Sequence, residues 1–144
     1  MFDPASSQYS QGPSFPSVLT NWTVEAWLYH DSTNMSNGSS PCIVTQVYAG
    51  TPINFTIGST NDNFPNLQAG SYNSGWSSTP QGITLTSGHW YQVVGTWDST
   101  TSKLYVNGNL AAKQNYPGFN SLSGNQDIRL MRRWDATQYW GGKL

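Results

Sequence analysis

The sequence predicts an all-β fold, two antiparallel sheets packed face to face as a sandwich. Three observations carry this. Charged residues are only 9% of the 144, against roughly 25% in an average globular chain, and Asn, Ser, Thr, Gln and Gly replace them, a poor mixture for helices and a good one for strands and turns. Aromatic residues reach 14%, with seven Trp and eight Tyr, enough to bury a large apolar core. Finally, the run from Tyr91 to Trp97 alternates with a period of two, and no window shows the 3.6-residue period of an amphipathic helix.

The elements follow in chain order. Residues 3–21 are turn-rich, because Gly12-Pro13 and Phe15-Pro16 interrupt any ladder. Residues 22–30 alternate and form a strand. Residues 31–41, with Asn37-Gly38, read as an exposed loop. Residues 43–47, 53–58 and 66–72 form three strands, with Asn61-Asp62-Asn63 turning between the last two. Residues 73–81 read as a loop carrying Trp76. Residues 83–85 form a short strand leading into a meander. Its first strand ends at Trp97, Asp98-Ser99-Thr100-Thr101 is polar turn chemistry, and Leu104-Tyr105-Val106 is the second strand. Asn107-Gly108, a strong hairpin signal, leads into a third at 109–112. A loop at 115–125 precedes a late strand at 127–132.

Three of these segments resemble the concanavalin A-like jelly rolls of the laminin G and pentraxin type. They are Trp22-Thr23-Val24-Glu25-Ala26-Trp27-Leu28; the meander with its Leu104-Tyr105-Val106-Asn107-Gly108; and 128–134 followed by Tyr139-Trp140-Gly141-Gly142-Lys143-Leu144. The resemblance implies one jelly-roll domain over residues 1–144, with Trp140 as a structural core aromatic. It also implies a final strand beyond Leu144 and a first strand beginning before Phe2-Asp3. An open sheet edge there would invite self-association or pairing with a neighbouring chain. Relatives of this type often bind calcium through Asp, Asn and backbone carbonyls. The oxygen-rich cluster Asn61, Asp62 and Asn63 is the candidate for such an ion, and no other cofactor is expected.

Several function classes are excluded. A net charge of −1 leaves no electrostatic footprint for nucleic acid. Arg129, Arg132 and Arg133 are the only basic cluster, and a solvated strand end explains it at least as well as an anion site. No run approaches the ~20 apolar residues of a spanning helix, and Met1-Phe2-Asp3-Pro4 has no signal-peptide pattern. The single cysteine, Cys42, cannot form an intrachain disulfide and reads as a small buried apolar residue. Hydrolases of the resembled fold place two Glu on one strand with Asp between. Here Glu25 is the sole glutamate, expected to pair with a polar strand neighbour, so glycoside hydrolysis ranks a distant third and the chain is read as no enzyme. His30 and His89 read as solvent-facing or hydrogen-bonded, without a metal cluster.

The aromatics divide. Trp27, Trp90, Trp97 and Tyr105 lie within strands and are expected in the core. Trp76, flanked by Gly and Ser with Tyr72 and Asn73 nearby, is either a sugar-stacking surface residue or a loop anchor. Trp134, beside Arg133 and Asp135, presents the same two alternatives. The resulting expectation is a non-catalytic glycan-binding module on an extracellular or virion surface, such as a tail fibre or adhesin. The alternative is a structural or assembly subunit of a capsid, fibre or filament.

Overall fold

The computed structural model describes residues 6–7, 9–12, 15–16, 21–31, 42–47, 53–58, 67–72, 76–80, 83–116, 125–132, 140 and 142–144, with the backbone alone for 15–16, 47, 53–54, 71–72, 76–78 and 125–126. Every element among them is a strand, and all pairings are antiparallel. In chain order they are β1 (Ser10–Gln11), β2 (Phe15–Pro16), β3 (Trp22–His30), β4 (Cys42–Val47), β5 (Ile53–Gly58), β6 (Gln68–Tyr72), β7 (Trp76–Ser78), β8 (His89–Trp97), β9 (Thr101–Val106), β10 (Asn109–Asn115), β11 (Asn125–Leu130) and β12 (Gly142–Lys143).

Two sheets result. A seven-stranded sheet runs β1-β11-β4-β5-β6-β7, with β2 also on β11; a five-stranded sheet runs β10-β9-β8-β3-β12. The predicted sandwich is therefore present. The meander is β8-β9-β10, closed by the two expected turns. Asp98 Oδ1 accepts from the backbone N–H of Thr100 at 3.2 Å and of Thr101 at 2.8 Å, while Ser99 takes φ 74. Asn107 and Gly108 have φ 50 and 78, the paired positive values of a type I′ hairpin.

The inner faces meet through Trp22, Leu28, Val93, Trp97 and Leu104 of one sheet and Ile43, Phe55, Ile57, Ala69 and Met131 around the other. Gly95 lets the sheets close together: a Cβ there would stand 3.0 Å from Ala69 Cβ and 3.1 Å from Ile57 Cγ1. Nearby, Ser102 Oγ donates across the sandwich to the Ala69 carbonyl at 2.9 Å, satisfying a buried hydroxyl. Trp140 is fully buried, as expected, and edge-on to His30 with centroids 5.9 Å apart. Cys42 is buried and accepts a hydrogen bond from Thr56 Oγ1 at 3.3 Å.

Five readings are corrected. Phe15-Pro16, expected to interrupt any ladder, is itself β2 and pairs with β11. Trp27 and Trp90 are not core: they are 57% and 49% exposed, whereas Trp97 is 3% exposed. A strand can bury only one parity. In β3 that parity is set by Trp22, Val24, Ala26, Leu28 and His30, which turns Trp27 outward. In β8 it is set by Val93, Gly95 and Trp97, which turns Trp90 outward. Tyr105 likewise is half-buried, on the opposite parity from buried Leu104 and Val106. His30 is fully buried rather than solvent-facing. The supposed 73–81 loop contains β7, whose antiparallel register with β6 sets Trp76 opposite Tyr72. A polar edge strand lacks the apolar alternation by which strands are read.

Candidate functional site

The two sheets differ on their outer sides. In the seven-stranded sheet every described side chain of β4 at 42–46 and of β5 at 55–58 is buried, so both faces are covered there. The outer face of the five-stranded sheet is more open at its described residues: Thr23, Glu25, Trp27 and Trp90 are exposed, and Tyr29, Gln92, Val94 and Tyr105 are half-buried. Its register places the side chains in rows. Glu25 stands opposite Val94, Trp27 opposite Gln92, and Tyr29 opposite Trp90; Val94 faces Tyr105; Tyr105 faces Leu110; and Lys143 faces Tyr29.

Trp27 and Trp90 are diagonal neighbours on adjacent strands, a relation that spans roughly 7–8 Å. Trp90 is braced by Tyr29, with ring centroids 5.5 Å apart and planes tilted by 59°. The Lys143 ammonium sits 5.1 Å from the Tyr29 ring centre, a cation–π contact that favours this position and leaves the side chain exposed. Polar groups interleave. Gln92 Nε2 donates to Glu25 Oε1 at 2.6 Å, which is the polar pairing expected for Glu25. Gln92 is itself pinned by the hairpin: its N–H donates to Asn107 Oδ1 and its carbonyl accepts from the Asn107 N–H, both at 2.9 Å. Asn107, Gln92 and Glu25 thus form one ordered row beside the aromatic rings.

The strand carrying Lys143 depends on a glycine. Gly142 has φ 141, and a Cβ there would collide with the Tyr29 carbonyl, so only glycine lets β12 pair with β3. At the opposite end of the face, Asp98 is held below the ordinary carboxylate range by its hydrogen bonds from Thr100 and Thr101, with Lys103 3.6 Å away adding to the effect.

Other expected sites stand as follows. The side chains of Tyr72 and Trp76, and residues Asn73, Arg133, Trp134 and Asp135, lie outside what the structure describes, as do Asn61, Asp62 and Asn63. Among the described residues no three His, Cys, Asp or Glu side chains gather as metal ligands. His89 is exposed, with Nδ1 3.1 Å from the Ser87 carbonyl. Arg132 stacks over Tyr9 at 4.0 Å. Burial pushes the His30 imidazole below its ordinary value, and Asp31 offsets part of that. No helix among the described residues is long and apolar enough to cross a membrane. The signal that could have revealed the open face was strand parity: Thr23, Glu25 and Trp27 share one side of β3.

Comparisons with known proteins place this geometry. The chain superposes on a heptameric pentraxin from Limulus polyphemus with TM-score 0.64 at 16% identity, covering 98% of this chain and 66% of the pentraxin chain, just under two thirds of its length. A CBM40 module of the Ruminococcus gnavus IT-sialidase, in complex with α2,3-sialyllactose, gives TM-score 0.63 at 13% identity, covering 92% of this chain and 86% of the module. The carbohydrate-binding module CBM66 from Bacillus subtilis gives TM-score 0.51 at 13% identity, covering 92% and 74%. At these identities the likeness shows the fold. No curated protein sequence matches the chain significantly. A family profile does, over residues 4–144, and the chain belongs to the concanavalin A-like lectin/glucanases superfamily.

Proposed function

We propose that the chain is a non-catalytic glycan-binding module whose ligand lies across the outer face of the five-stranded sheet. One observation carries this: two tryptophans, Trp27 and Trp90, stand about half exposed on a rigid sheet, beside ordered Glu25 and Gln92. Indole rings stack on the apolar faces of sugar rings, and fixed amide and carboxylate groups bond the hydroxyls. The carbohydrate-binding modules among the similar structures support the reading. The non-catalytic part rests on the sequence, in which Glu25 is the sole glutamate, whereas the hydrolases of the resembled fold place two on one strand. An extracellular or virion-surface setting, on a tail fibre or adhesin, is part of the same proposal. Trp76 with Tyr72 and Asn73, and Trp134 with Arg133 and Asp135, are the competing candidates from the sequence.

The test is a polysaccharide and glycan-array panel probed with the wild type, Trp27→Ala/Trp90→Ala, and Trp76→Ala/Trp134→Ala. Binding lost in the first pair and kept in the second supports the open face. The reverse pattern moves the site, and no binding by the wild type sinks the function.

A second reading has its own observation. Leu110, 54% exposed on the same face, is aliphatic and gives a sugar no aromatic plane. It suits a protein surface, so an assembly subunit packing this face against a second copy is the alternative. Concentration-dependent sedimentation abolished by Leu110→Ser would favour it.

A further inference from the structure

Resting on that glycan-binding reading, we infer that the open face selects a glycan in which an acidic unit is followed by a neutral one. The reader of the acidic unit is Lys143 and the excluder of a second is Glu25. The two charges stand at separate places on one platform. Lys143 faces Tyr29 on β3, and Glu25 lies four positions back along the same strand. At about 3.3 Å per residue that is a separation of roughly 13 Å along the strand.

Each charge is held and available. The Lys143 ammonium rests against Tyr29, which in turn braces Trp90. Among the described residues no carboxylate lies within ion-pair distance of it, the one such pair being Asp98 with Lys103. A sugar stacked on Trp90 therefore brings its carboxylate toward a cation seated on Tyr29 that has no acidic partner among the described residues. Glu25 is exposed and is fixed by Gln92 at 2.6 Å. Gln92 has its own backbone tied to Asn107, so Glu25 cannot relax by rotating without losing that bond. The unit lying past Trp27 meets this carboxylate. Hydroxyls there are acceptable donors to it, whereas a second uronate is repelled.

Three polymers test the idea: hyaluronan, in which uronate and neutral N-acetylhexosamine alternate; its carboxyl-reduced form; and polygalacturonate, acidic at every unit. The wild type should bind hyaluronan about threefold to tenfold more tightly than the reduced form, the range of a partly screened charge-assisted contact. Lys143→Met, which keeps the stem over Tyr29, should remove that preference. Glu25→Gln should raise affinity for polygalacturonate. Unchanged melting midpoints would show that both variants fold. Equal binding of hyaluronan and its reduced form, an unaffected Lys143→Met, or no gain in Glu25→Gln each overturns the inference. If the array panel finds neutral ligands and none of these polymers binds, the charge reading falls alone. If nothing binds at all, the glycan-binding reading falls with it.

Discussion

Replacing each of three tryptophans by alanine should separate face from core by stability alone. Trp97 is 3% exposed and packs between the sheets. Its removal takes away a full transfer contribution and leaves a cavity, about 3–5 kcal/mol. Trp27 and Trp90 are 57% and 49% exposed. Only about half of each ring is out of water, so the transfer part scales to roughly 1–2 kcal/mol, and water fills the vacated space without a cavity cost. At roughly 3–4 °C per kcal/mol for a domain of this size, Trp97→Ala should melt about 10–20 °C lower. Trp27→Ala and Trp90→Ala should each melt no more than about 8 °C lower. Against a total stability of about 5–15 kcal/mol, only the first threatens folding. Urea denaturation followed by far-ultraviolet circular dichroism reads the three variants without relying on tryptophan fluorescence. Equal losses for all three would mean that Trp27 and Trp90 are buried, and the open face would not exist as described.

Two further outcomes follow from the same structure. Gly142→Ala should detach β12 from β3, because its Cβ collides with the Tyr29 carbonyl; hydrogen exchange at the end of β3 should speed up, and Lys143-dependent binding should fall. Unchanged exchange would show that β12 tolerates a side chain. His30, buried and with its imidazole pushed below the ordinary value of 6.5 by desolvation, favours the neutral form when folded. Its contribution is therefore fully present above pH about 6.5 and is lost as pH falls through that value toward the folded pKa. The wild-type urea midpoint should decline from pH 7 to 5.5, above the carboxylate range, and His30→Gln should be flatter there. Parallel curves would refute it.

Strand existence was legible because this chain alternates cleanly where it matters. The 22–30 and 53–58 segments match β3 and β5 at both ends, and the Asp98 and Asn107-Gly108 turns fall where Asx chemistry and positive φ require them. Boundaries drifted where polar residues make strands. Thus β10 continues through Lys113-Gln114-Asn115, since cross-strand pairing with β9 rather than apolar content sustains it, and β11 starts at Asn125 rather than at Asp127. The site was harder. Tryptophan in a strand says that an aromatic is present, not which face it occupies. That depends on the parity of its neighbours and on whether the outer face is covered, and the covering is a tertiary fact. The same limit applies to β4, where Thr45 and Gln46 are buried as completely as Ile43, although their chemistry suggests a solvent face.

Placing the candidate site on strands rather than loops has a mechanical consequence. Loop-borne contacts must be ordered when a ligand arrives, at a cost of about 0.5–1.5 kcal/mol per side chain. Here Trp27, Trp90 and Tyr29 are spaced by the β3–β8 register, and Gln92 is fixed by the hairpin that joins β9 to β10. Little remains to be ordered. If a sugar lies on this face as proposed, the same register limits adaptation, because the spacing cannot change to suit a different ring geometry without a register shift. A one-residue slip would turn Trp27 inward and Leu28 outward, breaking the core. Specificity on this face can therefore vary only through its side chains. On the glycan-binding reading proposed above, Glu25, Lys143 and the turn residue Asn107 are the positions at which substitution is expected to alter ligand choice while leaving the sandwich intact.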